Sequence, residues 1–133
     1  MIIGVDHVAI QASDFEVALH FYHELLGFPV VQPAAQYKTR TLCYLSAGNI
    51  LIELYSAKSD GPPAIPYVAN RGGLDHLSFR TRDLDAAIEA LSGKGVKVIK
   101  KPFEVQAADG HPQRLAFIEG PDGQEIELRQ ATE

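Results

Sequence analysis

Polar and apolar residues alternate along 5-VDHVAI-10, and the apolar ones are largely β-branched, which predicts a strand. The pattern then lengthens. Phe15, Ala18, Leu19, Tyr22, Leu25 and Leu26 recur at helical spacing, with Ser13-Asp14 in front as an N-cap and Gly27 behind as a stop. Alternation returns in three further stretches: 28-FPVV-31, 39-TRTLCYLSA-47 and, after a turn at Gly48-Asn49, 50-ILIELY-55. The predicted order is strand, helix, three strands.

The chain then repeats itself. 74-LDHLSFRT-81 reads as a strand, Asp83 caps the helix 84-LDAAIEAL-91, and Gly93 or Gly95 stops it. VKVI, RLAFIE and EIELRQ are strands, with 121-PDG-123 as the hairpin turn between the last two. His7 and His76 lie 69 residues apart, as do Asp14 and Asp83, while Glu53 and Glu127 lie 74 apart. A period this long is one supersecondary unit used twice. The expected organisation is a single α+β domain over 1–133, built of two βαβββ modules, 4–55 and 74–130. A Pro- and Gly-rich linker, 56–73, joins them. In each module the helix covers one sheet face, and the other is free to pair with the second module's sheet.

Side chains on a strand alternate faces. Val8 and Ile10 suit packing under the helix, which leaves His7, Ala9 and Gln11 on the open face. By the same parity His76, Ser78 and Arg80 share the open face, as do Leu51, Glu53 and Tyr55, and likewise Glu125, Glu127 and Arg129. A buried glutamate needs a counter-charge. Two His and two Glu at matching positions of a repeat suggest a divalent cation in that role. Imidazole with carboxylate suits Zn, Ni, Co, Mn or Fe(II) without selecting among them.

Composition narrows the field. With a net charge of −5 and a pI near 5.5, the chain offers no basic face for nucleic acid or for an anionic membrane. No apolar run approaches the ~20 residues of a membrane span. The first ten residues lack a basic flank and carry Asp6 and His7, so they read as a strand rather than a leader. A single cysteine, Cys43, set in an apolar run, reads as a buried inert thiol and suits a reducing cytoplasm. His20, His23, Glu24 and Glu16 share one helix face and read as a solvated polar surface. His111 falls in a turn-rich surface loop, and Lys100-Lys101 is a solvated pair.

Taken together, DHVAI, the helix ending LLGF, LIELY, DHLSF, DLDAAIEAL and AFIEGPDGQEIEL resemble the vicinal oxygen chelate superfamily, which includes glyoxalase I, methylmalonyl-CoA epimerase, extradiol dioxygenases and fosfomycin or bleomycin resistance proteins. The resemblance spans roughly residues 4 to 129. It implies paired modules forming a cupped, partly closed mixed β-barrel around one metal ion, usually in a homodimer. Within the superfamily the chain looks most like glyoxalase I (lactoylglutathione lyase), which isomerises the hemithioacetal of methylglyoxal and glutathione through a metal-held enediolate. Carried over by position, the ligands are His7, Glu53, His76 and Glu127, with Glu127 the first choice of base and Glu53 the second. Gln11, Ser78, Arg80 and Arg129 are the expected substrate contacts. Two departures bear on the thiol: glyoxalase I enzymes of bacteria have Arg and Asn four residues after the first two ligands, where this chain has Gln11 and Ala57. The segment from Pro62 to Ile88 resembles methylmalonyl-CoA epimerase, which makes epimerisation the alternative activity. A non-enzymatic small-molecule binding or resistance protein is the second alternative.

Overall fold

In the computed structural model, which describes residues 1–132, the chain divides into two compact units, Met1–Pro66 and the stretch from Tyr67 onward. The first unit runs β1 (His7–Ala12), α1 (Phe15–Leu19, continuing as a π-helix over His20–Leu25), β2 (Val30–Tyr37), β3 (Arg40–Ser46) and β4 (Leu51–Ser56). The second runs β5 (Leu77–Thr81), α2 (Leu84–Gly93), β6 (Val98–Gln106), β7 (Pro112–Glu119) and β8 (Glu125–Gln130). Each is the predicted βαβββ order.

The two sheets share one topology: β1-β4-β3-β2 and β5-β8-β7-β6. In each, the strand before the helix pairs parallel to the last strand, and the remaining pairs are antiparallel. The register brings Ala9, Glu53 and Tyr44 into one row across the first sheet. The corresponding row of the second sheet is Ser78, Glu127 and Phe117.

The caps follow the sequence. Asp14 accepts from Val17 N and Asp83 from Ala86 N, each satisfying an otherwise unpaired amide in the helix's first turn. Gly27 takes φ +81° just past the first helix, where a side chain would be strained. Gly123 takes φ +83° in the Pro121–Gly123 turn and donates to Gly120 O.

Under α1 and its π-helical continuation, Ala18, Phe21 and Tyr22 are buried, as are Cys43, Leu45, Ile52 and Leu54 on alternate positions of β3 and β4. In the second unit Leu84, Ile88 and Leu91 of α2 are buried together with Ala116, Ile118, Ile126 and Leu128 of the sheet it packs on. A fully buried leucine such as Leu54 or Leu84 contributes about 1.5–3 kcal/mol by leaving water.

Several boundaries differ from the sequence expectation. β1 and β5 start at His7 and Leu77, so Val5-Asp6 and Leu74–His76 precede the ladder. β2 extends from the predicted 28–31 to Tyr37, and β6 from 96–99 to Gln106. Both carry register shifts, at Val30–Ala35 and at Val98–Phe103, in segments that contain Pro33 and Pro102. A proline cannot donate to a ladder and breaks the alternation that signals a strand. The last helical turns of α1 are π-helical.

Candidate metal and proton-transfer site

Glu53 and Glu127 are the two buried polar or charged residues among the described residues, 6% and 8% exposed. Each sits mid-strand between buried apolar neighbours, Ile52 and Leu54 in one case, Ile126 and Leu128 in the other. Strand alternation turns those neighbours under the helix and leaves the glutamates on the sheet's open face. A carboxylate so far removed from water is costly unless charges or donors meet it.

A histidine meets each one. His7 Nε2 lies 4.0 Å from Glu53 Oε1, and His76 Nε2 lies 3.4 Å from Glu127 Oε2. The other ring nitrogen is engaged identically in both: His7 Nδ1 is 2.7 Å from Asp6 Oδ2, and His76 Nδ1 is 2.7 Å from Asp75 Oδ2. With an aspartate accepting at Nδ1, the Nε2 lone pair is the one left facing the glutamate. Both imidazoles are held above their ordinary pKa, first by the hydrogen bond each donates to the preceding aspartate and further by the charge of the facing glutamate.

The two pairs are not chemically equal. Glu53 accepts a hydrogen bond from the Tyr44 hydroxyl. The Tyr55 hydroxyl is also raised above its usual pKa, first by a hydrogen bond to Glu53. In the second unit the Tyr44 position is Phe117 and the Tyr55 position is Arg129. Arg129 Nε stands 3.5 Å from Glu127 Oε1 but makes no hydrogen bond. The aromatic partner is conserved in shape: His7 meets Tyr44 edge-to-face at 6.1 Å, and His76 meets Phe117 at 5.6 Å. Glu53 therefore accepts from a hydroxyl donor, Tyr44, where Glu127 faces a cation and an imidazole.

The predicted residues thus assemble as two pairs, one in each unit. Among the described residues, no three or more His, Cys, Asp or Glu side chains gather closely enough to hold an ion. Each pair offers an imidazole nitrogen and a carboxylate oxygen, a donor set that fits a borderline divalent cation. Of the expected substrate contacts, Ser78 lies beside Glu127 and Arg80 beside Arg129 in the β5–β8 register. Gln11 lies beside Tyr55, and its side-chain oxygen accepts from Arg40 Nη2 at 2.7 Å. Arg40, Tyr44, Asp6 and Asp75 were missed from sequence. The parity of 39-TRTLCYLSA-47 is the signal for the first two, since Arg40, Leu42 and Tyr44 fall on the face of Glu53. His23 is accounted for structurally, its Nδ1 lying 2.7 Å from Phe28 O, and His111 sits exposed beside Asp109. Cys43 is fully buried, and burial pushes its thiol pKa up, so it is inert.

Residues 4–128 match the family model described as glyoxalase/bleomycin resistance protein/dioxygenase superfamily. The chain belongs to that superfamily. Members of the glyoxalase superfamily commonly bind divalent metals. Among relatives, uncharacterized protein YaeR of Escherichia coli K12 is 35% identical, with 93% of each chain covered. An ethylmalonyl-CoA/methylmalonyl-CoA epimerase of Cereibacter sphaeroides is 28% identical over 98% of this chain and 99% of its own. A probable lactoylglutathione lyase of Synechocystis is 25% identical over 95% and 94%. Among solved structures, a glyoxalase family protein of Enterococcus faecalis superposes with a TM-score of 0.75 at 29% identity, covering 96% of this chain and 97% of its own. A glyoxalase-fold domain from Frankia reaches a TM-score of 0.80 at 23% identity, with 100% and 95% covered, and speaks to the fold alone.

Proposed function

We propose that the chain is a metal-dependent lyase or isomerase of the glyoxalase I type. It would convert the hemithioacetal of a 2-oxoaldehyde and a thiol, methylglyoxal with glutathione or a similar pair, into a 2-hydroxyacyl thioester. The observation that carries this reading is the burial of two glutamates, each facing a histidine whose other nitrogen is held by an aspartate. His7, Glu53, His76 and Glu127 would hold one divalent ion, which supplies electrostatic stabilisation for charge developing on substrate oxygens. Glu127 is the base: it takes the proton from the carbon bearing sulfur and oxygen and returns it to the neighbouring carbon. Its lack of a hydroxyl donor supports that role, because a carboxylate already accepting from tyrosine is less free to accept a substrate proton. Glu53, held by Tyr44, keeps its place while the proton moves. Ser78 and Arg80 flank the Glu127 side, and Arg129 balances the negative charge there.

A second reading, epimerisation next to a thioester carbonyl, is favoured by the end-to-end match to the Cereibacter epimerase. It needs the same residues, with proton removal and return at a single carbon. A homodimer is part of the proposal, supported by Met1, Ile2, Ile3, Val5 and Leu74, apolar residues left largely uncovered. Cytoplasmic residence is likewise proposed, supported by the buried free thiol of Cys43.

The test is initial rates on the methylglyoxal–glutathione hemithioacetal and on methylmalonyl-CoA, with Ni and Zn reconstituted separately and Glu127→Gln as control. Metal-dependent turnover of the hemithioacetal, lost in the control, supports the glyoxalase reading. Turnover of methylmalonyl-CoA alone transfers it to epimerisation. Turnover of neither by metal-loaded protein refutes both.

A further inference from the structure

A cleft of about 350 Å³ in the first unit carries charge of the opposite sign to the chain as a whole. Three cations line it, Lys38, Arg40 and Lys58, against one acid, Asp60, and two tyrosines, Tyr37 and Tyr55, line it as well. Arg40 is half-buried and fixed on two sides. Its guanidinium lies 4.7 Å from the centroid of the Tyr55 ring, and its Nη2 donates to Gln11. Its Nε is buried without a hydrogen-bond partner, so the Nε–Nη2 edge of the guanidinium has donor capacity left over. A guanidinium with donors to spare binds carboxylate or phosphate through charge-assisted hydrogen bonds.

The lysines come from segments built to stand at the cleft. Lys38 and Thr39 join β2 to β3, and Lys38 takes φ 54°, a conformation that ordinarily calls for Gly, Asn or Asp. Gln36 Nε2 donates to Lys38 O, which holds that turn. Ser59 N donates to Thr39 O, which ties the segment carrying Lys58 to the same hairpin. The cleft is joined to the candidate site through Tyr55, two residues along β4 from Glu53 and on the same face of the strand. Two strand residues span roughly 7 Å.

We propose that this cleft is an oxyanion site for a carboxylate or phosphate carried by the substrate, gripped by Arg40 and neutralised by Lys38 and Lys58. Placed there, the anion stands a short chain of atoms from Glu53 in the same unit. The link to a substrate rests on the function proposed above; anion binding itself does not.

The experiment is a backbone amide NMR titration of the metal-free full chain with inorganic phosphate and, separately, with acetate. Working without metal keeps the result independent of the metal reading. The variants are Lys58→Ala and Lys38→Asn, the latter because asparagine tolerates the positive φ. Saturable shifts confined to Tyr37–Arg40 and Lys58–Asp60, weakened about tenfold by each variant, are expected. Saturation by phosphate alone assigns a phosphorylated substrate, and saturation by acetate alone a carboxylate; either sustains the proposal. It is overturned if neither anion saturates, if both variants bind as the parent does, or if Lys100 and Lys101 respond equally.

Discussion

Tyr44 and Phe117 occupy equivalent places, so exchanging their identities tests whether the hydroxyl sets the difference between the two glutamates. Tyr44→Phe removes one oxygen and leaves the ring, and Phe117 shows that a phenylalanine fits the same position beside a histidine at 5.6 Å. The lost interaction is a hydrogen bond to a carboxylate that is 6% exposed. Hydrogen bonds to charged groups are worth about 1.5–3 kcal/mol. The expected loss is at the lower end of that range, about 1.5 kcal/mol. For a chain of this size that is roughly a 5 °C fall in Tm, measured by calorimetry on metal-free protein. The reciprocal Phe117→Tyr gives Glu127 a hydroxyl donor. It is expected to lower kcat roughly tenfold or more with little change in KM, because a base already accepting a hydrogen bond is a poorer proton acceptor. Tyr44→Phe with an unchanged Tm, or Phe117→Tyr with parental kcat, would refute the assignment of unequal roles.

Asp6→Asn and Asp75→Asn each remove the carboxylate that fixes a histidine's tautomer. Each is expected to weaken divalent-metal affinity about 10- to 100-fold in a chelator competition, without unfolding the chain. Asp85 is held below its ordinary pKa of 3.8, first by its hydrogen bonds from Arg114. A depressed carboxylate contributes stability above its unfolded pKa and loses it as pH falls through the folded value. Arg114→Gln should therefore be less stable than the parent by a constant amount above about pH 4, with the gap closing below it, as followed by urea denaturation across pH. Gly27→Ala meets no atom within 4 Å, so its cost is conformational alone, about 1 kcal/mol in the same assay.

Much of this architecture is legible because the repeat is written in residues with a physical job. Asp14 and Asp83 cap, Gly27 stops, and the parity of LIELY and EIELR puts Glu53 and Glu127 on the face away from the helix. The histidine–glutamate pairs follow from the same parity, since His7 and His76 stand at equivalent points of the repeat, at the start of β1 and just before β5. What stayed hidden depends on side-chain reach or on irregular backbone. The outer strands β2 and β6 run far past their apolar cores through bulges near prolines, where period-two reasoning fails. The π-helical turns of α1 keep roughly helical spacing and leave no distinct trace in the pattern. The aspartate behind each histidine is a contact between neighbours in sequence, which a face argument assigns to opposite sides of a strand. It forms because Asp6 and Asp75 lie ahead of the regular ladder. Parity puts Arg40 on the open face, but its bond to Gln11 crosses between strands that are not neighbours in the sheet, which sequence alone does not show.

The central proposal is that His7, Glu53, His76 and Glu127 would hold one ion together. Metal content after loading with Ni or Zn and exhaustive desalting, compared for the parent and for His7→Ala, Glu53→Gln, His76→Ala and Glu127→Gln, tests it most directly. The account predicts one retained ion per chain in the parent and a loss of retention in every one of the four variants, whichever unit carries the change. Retention that survives any of these changes undiminished, or that disappears only when one pair is altered, would contradict it.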